Sequence, residues 1–366
     1  MRVSTKSNYN NMNKKLLTII TGTAFAGSLY GGIPLSDDLT VTGYMDASYT
    51  DYEGKKDAGS AENNFQEFEL GFQFAPAESP VSAVMELSFK PGKGNSLLDP
   101  TKLNTLTFND ANANGTVESG ELVTGTATVP GVTEVADRLF LETATITYAF
   151  SDSLSVTTGN MLTYMGWETY DATGLYQMTY AYRNNKPNPY EGYAFGASLD
   201  YAVEGVNLGM ALADSDNGDI SLEVAGKFTS IPNTTIFAMV ANDPGFTTVN
   251  SWASYSMGGL TLAAEYIKKD IEKDSIGTDQ AAEKEAYLLM ANYALDSGAA
   301  VTVRYSAQED EKEDGTNVTK GDFEKFTVSP SYAFTDNLKG FFEISQVNQS
   351  TGDDYGLYGV KVLFTF

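Results

Sequence analysis

From about position 38 to the C-terminus, apolar and polar side chains alternate with a period of two. Leu39, Val41, Met45, Ala47 and Tyr49 interleave with Thr40, Thr42, Tyr44, Asp46 and Ser48. Phe68, Leu70, Phe72 and Phe74 do the same with Glu67, Glu69 and Gln73. Such alternation marks strands with one face in an apolar medium and the other in a polar one. Followed along the chain, it predicts sixteen strands: near 38–50, 65–75, 80–90, 138–150, 154–165, 191–202, 205–213 and 219–229 in the first half, then 233–242, 247–257, 259–269, 285–295, 299–308, 323–334, 338–348 and 355–366. Most are close to the ~9–11 residues that a tilted strand needs to cross a bilayer.

The connections sort by length. Tight turns fall at Pro76–Ser79, Ser151–Ser153, Val203–Gly205, Ser230–Pro232, Gly258, Asp296–Gly298 and Thr335–Asn337. The intervening set holds the long polar segments 51–64, 91–137, 166–190, 270–284 and 309–322. The eight strands running toward the tight turns each end on or near an aromatic: Phe74, Phe150, Tyr201, Phe228, Tyr255, Tyr293, Phe334 and Phe366. All eight share the parity of the apolar face, as a girdle at a lipid–water boundary would. The expected fold is therefore all-β: a transmembrane antiparallel up-and-down barrel of sixteen strands, with short periplasmic turns and long extracellular loops.

The N-terminus changes the picture in one respect. Met12, Asn13, Lys14 and Lys15 precede an apolar run, Leu16 to Ala26, that closes on Ala24-Phe25-Ala26. A basic start, a short apolar stretch and small residues at the end predict an export signal in residues 1–26, ahead of a barrel over 27–366. Its removal would take four of the 23 basic residues and none of the 48 acidic ones, so the formal charge of −25 would become −29. So acidic a chain is a poor partner for nucleic acid.

The chain has no histidine and no cysteine. That excludes a Ser-His-Asp triad, a Cys-His pair and a His-ligated zinc site, and no phosphate-cradling loop or nucleophile elbow is present. No enzymatic activity is expected.

The last strand sets Tyr358, Val360, Val362, Phe364 and Phe366 against Gly359, Lys361, Leu363 and Thr365, and the chain stops on Phe366. It resembles the C-terminal strand of Gram-negative outer-membrane proteins. That resemblance implies that Tyr358, Phe364 and Phe366 form a signal for the barrel-assembly machinery and that the protein resides in the outer membrane. The stretch Gly159-Asn160-Met161-Leu162-Thr163-Tyr164-Met165-Gly166-Trp167-Glu168, continuing through Tyr170-Asp171-Ala172, resembles a segment of OmpL-like β-barrel porins. In that family a glycine-led strand turns into a long loop. By the same resemblance to porins, loop 3 (166–190) would fold inward, putting Glu168 and Asp171 in the pore constriction with Arg183 and Lys186 as counter-charges.

Strand parity assigns Glu69, Glu86, Lys90, Glu223, Lys227, Glu265, Arg304, Glu343 and Lys361 to the pore wall. Glu142 falls on the opposite parity, with Phe140, Ala144 and Ile146, and is expected at the upper rim or against a neighbouring protomer. Loop 2 (91–137) holds a twelve-residue pattern of the EF-hand type. Asp110, Asn112, Asn114, Thr116, Glu118 and Glu121 stand at the oxygen-ligand positions, with Gly115 at the turn. Oxygen ligands at that spacing suit Ca²⁺, with Glu121 able to coordinate through both oxygens.

The expected function is passive diffusion of small hydrophilic solutes and ions through a water-filled, weakly cation-selective pore. Outer-membrane lipid would surround the barrel, and general porins suggest a homotrimer. An outer-membrane receptor or adhesin working through its acidic loops is the alternative from another functional class.

Overall fold

Alternation over sixteen segments has one low-energy outcome in lipid, where every backbone N–H and C=O must be paired within the protein. A closed sheet meets that requirement. The computed structural model describes residues 32–54, 62–90, 138–168, 171–182, 192–215, 219–272, 281–314, 317–350 and 352–366. The expected export signal, residues 110–121 of loop 2, and Arg183 and Lys186 of loop 3 lie outside the described residues.

Sixteen antiparallel strands form the wall. The first six are β1 (Leu39–Glu53), β2 (Glu62–Phe74), β3 (Val81–Lys90), β4 (Arg138–Ala149), β5 (Leu154–Leu162) and β6 (Tyr193–Val203). Then come β7 (Val206–Asp214), β8 (Ile220–Phe228), β9 (Thr234–Asp243), β10 (Phe246–Met257) and β11 (Leu260–Ile271). The last five are β12 (Ala281–Ala294), β13 (Ala299–Asp314), β14 (Asn317–Thr335), β15 (Leu338–Gln349) and β16 (Tyr355–Thr365). Each pairs with its sequence neighbours, and β16 closes on β1 through registers such as Val360↔Tyr49 and Phe364↔Met45. Phe366 extends the seam, exchanging backbone hydrogen bonds with Gly43 at 2.9 and 3.0 Å. The two-residue bridge Ile33–Pro34 pairs with Thr40 and Val41, where β1 runs past the end of β16.

The two faces of this wall differ as the alternation requires. Leu199, Met210, Val240, Leu289, Val303, Phe342 and Val360 are exposed on the outside. Ser48, Ser88, Thr248, Asn250, Thr302, Ser306, Thr327 and Ser345 are buried on the inside. Among the girdle aromatics, Phe74, Phe150, Tyr201, Phe228, Tyr293 and Phe334 are exposed on the outer surface.

Two expectations change. The segment 309–322, expected as a loop, is mostly ladder, because β13 and β14 run to Asp314 and from Asn317. Beyond the bilayer neither face needs to be apolar, so the period-two signal fades while the hydrogen bonding continues. Glu142 is neither at the rim nor against a neighbour. In the β3–β4 pairing Glu86 faces Thr143 and Leu87 faces Leu141, so Glu142 is the extra residue of a β-bulge. The bulge reverses the parity of β4 at that point and buries Glu142.

Candidate functional site

Loop 3, the connection between β5 and β6, crosses the barrel interior. Its described part, residues 163–168 and 171–182, docks on the inner wall from β8 round to β15 by buried hydrogen bonds. At its start, Thr163 Oγ1 and Tyr164 N donate to Glu223 of β8 at 2.6 and 3.1 Å, and the Tyr164 hydroxyl donates to Asp200 of β6 at 2.6 Å. Gly209 of β7 makes room for that tyrosine, since a Cβ there would sit 2.7 Å from the Tyr164 ring. Further along, Gly166 N donates to Asn250 Oδ1 at 3.1 Å and Trp167 N to Glu265 Oε1 at 2.7 Å.

The centre of the loop is held by charge. Arg304 of β13 and Glu168 form an ion pair at 2.5 Å, their side chains 0% and 3% exposed. Arg304 also donates to the carbonyls of Thr179 and Tyr180, at 2.8 and 3.0 Å. Glu168 accepts from Gln177 Nε2 at 2.6 Å and from Ala181 N at 2.7 Å. On β15, Glu343 accepts the amides of Met178 and Thr179 at 2.9 and 3.0 Å, as well as the Thr179 hydroxyl. Lys325 of β14 stands 3.7 Å from Glu343 and donates to Tyr180 O. A buried ion pair holds only when the remaining donors and acceptors are satisfied, and these largely are.

Packing completes the dock. Phe237 and Met239 of β9, Trp252 of β10, Ile267 of β11, and Leu288 and Met290 of β12 are buried on the inner wall with the loop's Met165, Ala181 and Tyr182. Trp167 meets Trp252 edge-on at 5.2 Å and stacks on Tyr176 at 6.4 Å. The sequence reading missed this apolar seat. Its signal was the set of large apolar residues on the inward parity of β9–β12, where a wetted wall would be polar.

Burial pushes the Tyr180 and Tyr182 phenols well above the ordinary tyrosine range. The nearby carboxylates, Asp171 for Tyr180 and Glu265 for Tyr182, push the same way, so both hydroxyls stay protonated.

The expected pore-wall residues meet different surroundings. Glu265, Arg304 and Glu343 are engaged by loop 3, as is Glu223, and Lys361 pairs with Asp46 at 3.5 Å. Glu69 and Glu86 are buried beside Glu67 and Glu142, and no basic side chain pairs with either among the described residues. Asp171 faces this acidic side, at the start of the short 3-10 turn Ala172–Gly174. Lys227 points inward near the tight-turn end, and Lys90 closes β3 with its side chain outside the described residues.

No family model matches the chain and no curated protein matches it in sequence, so the likeness to OmpL-like porins gains no support from these comparisons. Solved structures do match. OmpT, an outer membrane protein of Vibrio cholerae folded in vitro, aligns with TM-score 0.60 and 10% identity over 92% of this chain and 100% of its own. The outer membrane channel DcaP of Acinetobacter baumannii gives 0.57 and 11%, over 92% of this chain and 99% of its own. Salmonella typhi OmpF, in complex with daunomycin, gives 0.54 and 11%, over 90% and 97%. At these identities the likeness concerns the fold, which is that of outer-membrane barrels of Gram-negative bacteria.

Proposed function

We propose that this chain is a non-enzymatic outer-membrane porin, through which small hydrophilic solutes and ions diffuse down their gradients. The observation that carries the reading is loop 3 itself. A segment pinned across the interior of a sixteen-strand barrel by buried charge pairs narrows the lumen, and among the described residues no separate domain plugs it. The fold shared with a channel such as DcaP supports the same reading.

In this reading Glu168 fastens the constriction rather than filtering ions, because its charge is spent on Arg304. The filter is the acidic side: Asp171 on the loop, facing Glu69 and Glu86 on the wall. Lys227 of β8 and Lys339, at the start of β15 over the Phe341 ring, lie nearer the tight-turn mouth and moderate it, which leaves a weak preference for cations. The reading includes a homotrimer, by likeness to general porins, with lipid around the outer wall.

The test is the purified protein in a planar bilayer. Stepwise conductance, with a reversal potential in a potassium chloride gradient displaced modestly toward the potassium potential, is the expected result. A folded barrel that never conducts would refute the reading and favour a receptor or adhesin.

A further inference from the structure

The bulge in β4 brings together three carboxylates that the sequence keeps far apart. Glu67 and Glu69 lie two positions apart on the inner face of β2. Glu142 joins them only because it is the extra residue of the bulge. All three are buried, and one oxygen from each lies within 4.8 Å of the others. Three oxygens spread evenly at 2.3–2.6 Å around one Ca²⁺ stand roughly 4.0–4.5 Å apart, so small side-chain shifts bring these three to one ion. Mg²⁺, with ligands at 2.0–2.1 Å, would require them to close further, to about 3.5 Å.

A second observation points into the same spot. Tyr44 stands opposite Glu69 in the β1–β2 register and is 2% exposed. Among the described residues its hydroxyl has no hydrogen-bond partner, and it lies in the field of Asp171, Glu67 and Glu69. A buried hydroxyl without a partner is unusual and calls for an explanation such as an ion or an ordered water. A cation here, or water bound to it, would satisfy the phenol oxygen.

The surroundings fix the geometry. Asn160 of β5 donates its side-chain amide to the carbonyls of Leu141 and Glu142, which pins the bulge. Gly159, at φ +132°, carries no Cβ where one would fall 1.9 Å from the Ala144 carbonyl, so β5 can approach. Ser88 donates to one Glu67 oxygen, orienting the carboxylate.

The geometry points to a hard divalent cation, Ca²⁺ by size, held inside the barrel by Glu67, Glu69 and Glu142, with Tyr44 and Asp171 completing its surroundings. Only oxygen donors are present, in a chain without histidine or cysteine, and that suits calcium rather than zinc or copper. The ion ties β2 to the bulged β4 and, through Asp171, to loop 3. It is separate from the candidate loop at residues 110–121.

The test uses Tb³⁺, a calcium-sized probe whose emission is sensitised by nearby tyrosine, on the full-length barrel in detergent after chelation. Sensitised emission that Ca²⁺ displaces more readily than Mg²⁺ is expected. Glu142→Gln or Glu69→Gln should weaken Tb³⁺ and Ca²⁺ binding at this site at least about tenfold, because charge count sets such affinities. Tyr44→Phe should dim the emission, and Glu121→Gln should leave this signal in place. Emission that survives both glutamine variants when each also carries Glu121→Gln, or that disappears only in Glu121→Gln, would overturn the site. Wild-type protein alone decides the matter if a variant does not fold: no calcium-displaceable emission means no site. Because binding is read without conductance, its failure leaves the channel reading standing, and a non-conducting barrel leaves the ion site standing.

Discussion

Replacing Arg304 with methionine should release loop 3 while leaving the barrel folded. The guanidinium, which is fully buried, is the counter-charge of Glu168 and the donor to two loop carbonyls. Without it, Glu168 keeps, among the described residues, Gln177 Nε2 and Ala181 N around a buried negative charge. Removing one partner of such a pair costs about 3–5 kcal/mol, or roughly two to nearly four powers of ten in an equilibrium constant. The cheapest relief is undocking, since the hydrogen-bonded ladder does not depend on the loop. The chain's two tryptophans, Trp167 and Trp252, touch across the loop–wall contact, so their fluorescence reports docking directly. Arg304→Met should shift the emission to the red and raise the single-channel conductance with added noise, while heat-modifiable migration on gels persists. Adding Glu168→Gln should restore part of the docking, because the stranded charge is gone. Unchanged tryptophan emission and conductance in Arg304→Met, or a double variant worse than the single, would refute the argument.

Asp171→Asn combined with Glu86→Gln, measured in chelator, should move the reversal potential toward the anion side at similar conductance; an unmoved potential would take the filter away from the acidic wall. A bulky Gly209→Leu should displace the Tyr164 ring and loosen the start of loop 3, seen as faster current flicker, whereas Gly209→Ser should perturb less. Chelation or Glu121→Gln should open loop 2 to trypsin at Lys93 and Lys102, and equal cleavage with calcium, with chelator and in the variant would retire the calcium loop at residues 110–121. Deleting Phe366 removes both hydrogen bonds to Gly43 and the ring stacked 6.4 Å from Phe68, so less folded barrel should reach the outer membrane, and normal yield would exclude an assembly role.

The sequence by itself determined the wall. A barrel strand records its two environments residue by residue, so alternation in segments such as Val81–Lys90 or Tyr355–Thr365 reads out the strand, its faces and its span. The strand number and antiparallel order followed from the sixteen segments and their turns. The signal faded where both faces are wet, as in Glu309–Glu311, because hydrogen bonding alone leaves no trace in hydropathy. Tertiary structure decided the interior. Glu168 and Arg304 are 136 residues apart, and no local pattern names a partner across a lumen. Parity turned Arg304, Glu265 and Glu343 inward, but it could not distinguish wetted wall from a seat for a folded-in loop. Nor could it foresee the bulge that turns Glu142 toward Glu67 and Glu69. One extra residue in a ladder costs little locally and reverses every face assignment beside it, so its presence is fixed by how neighbouring strands must meet around a closed barrel.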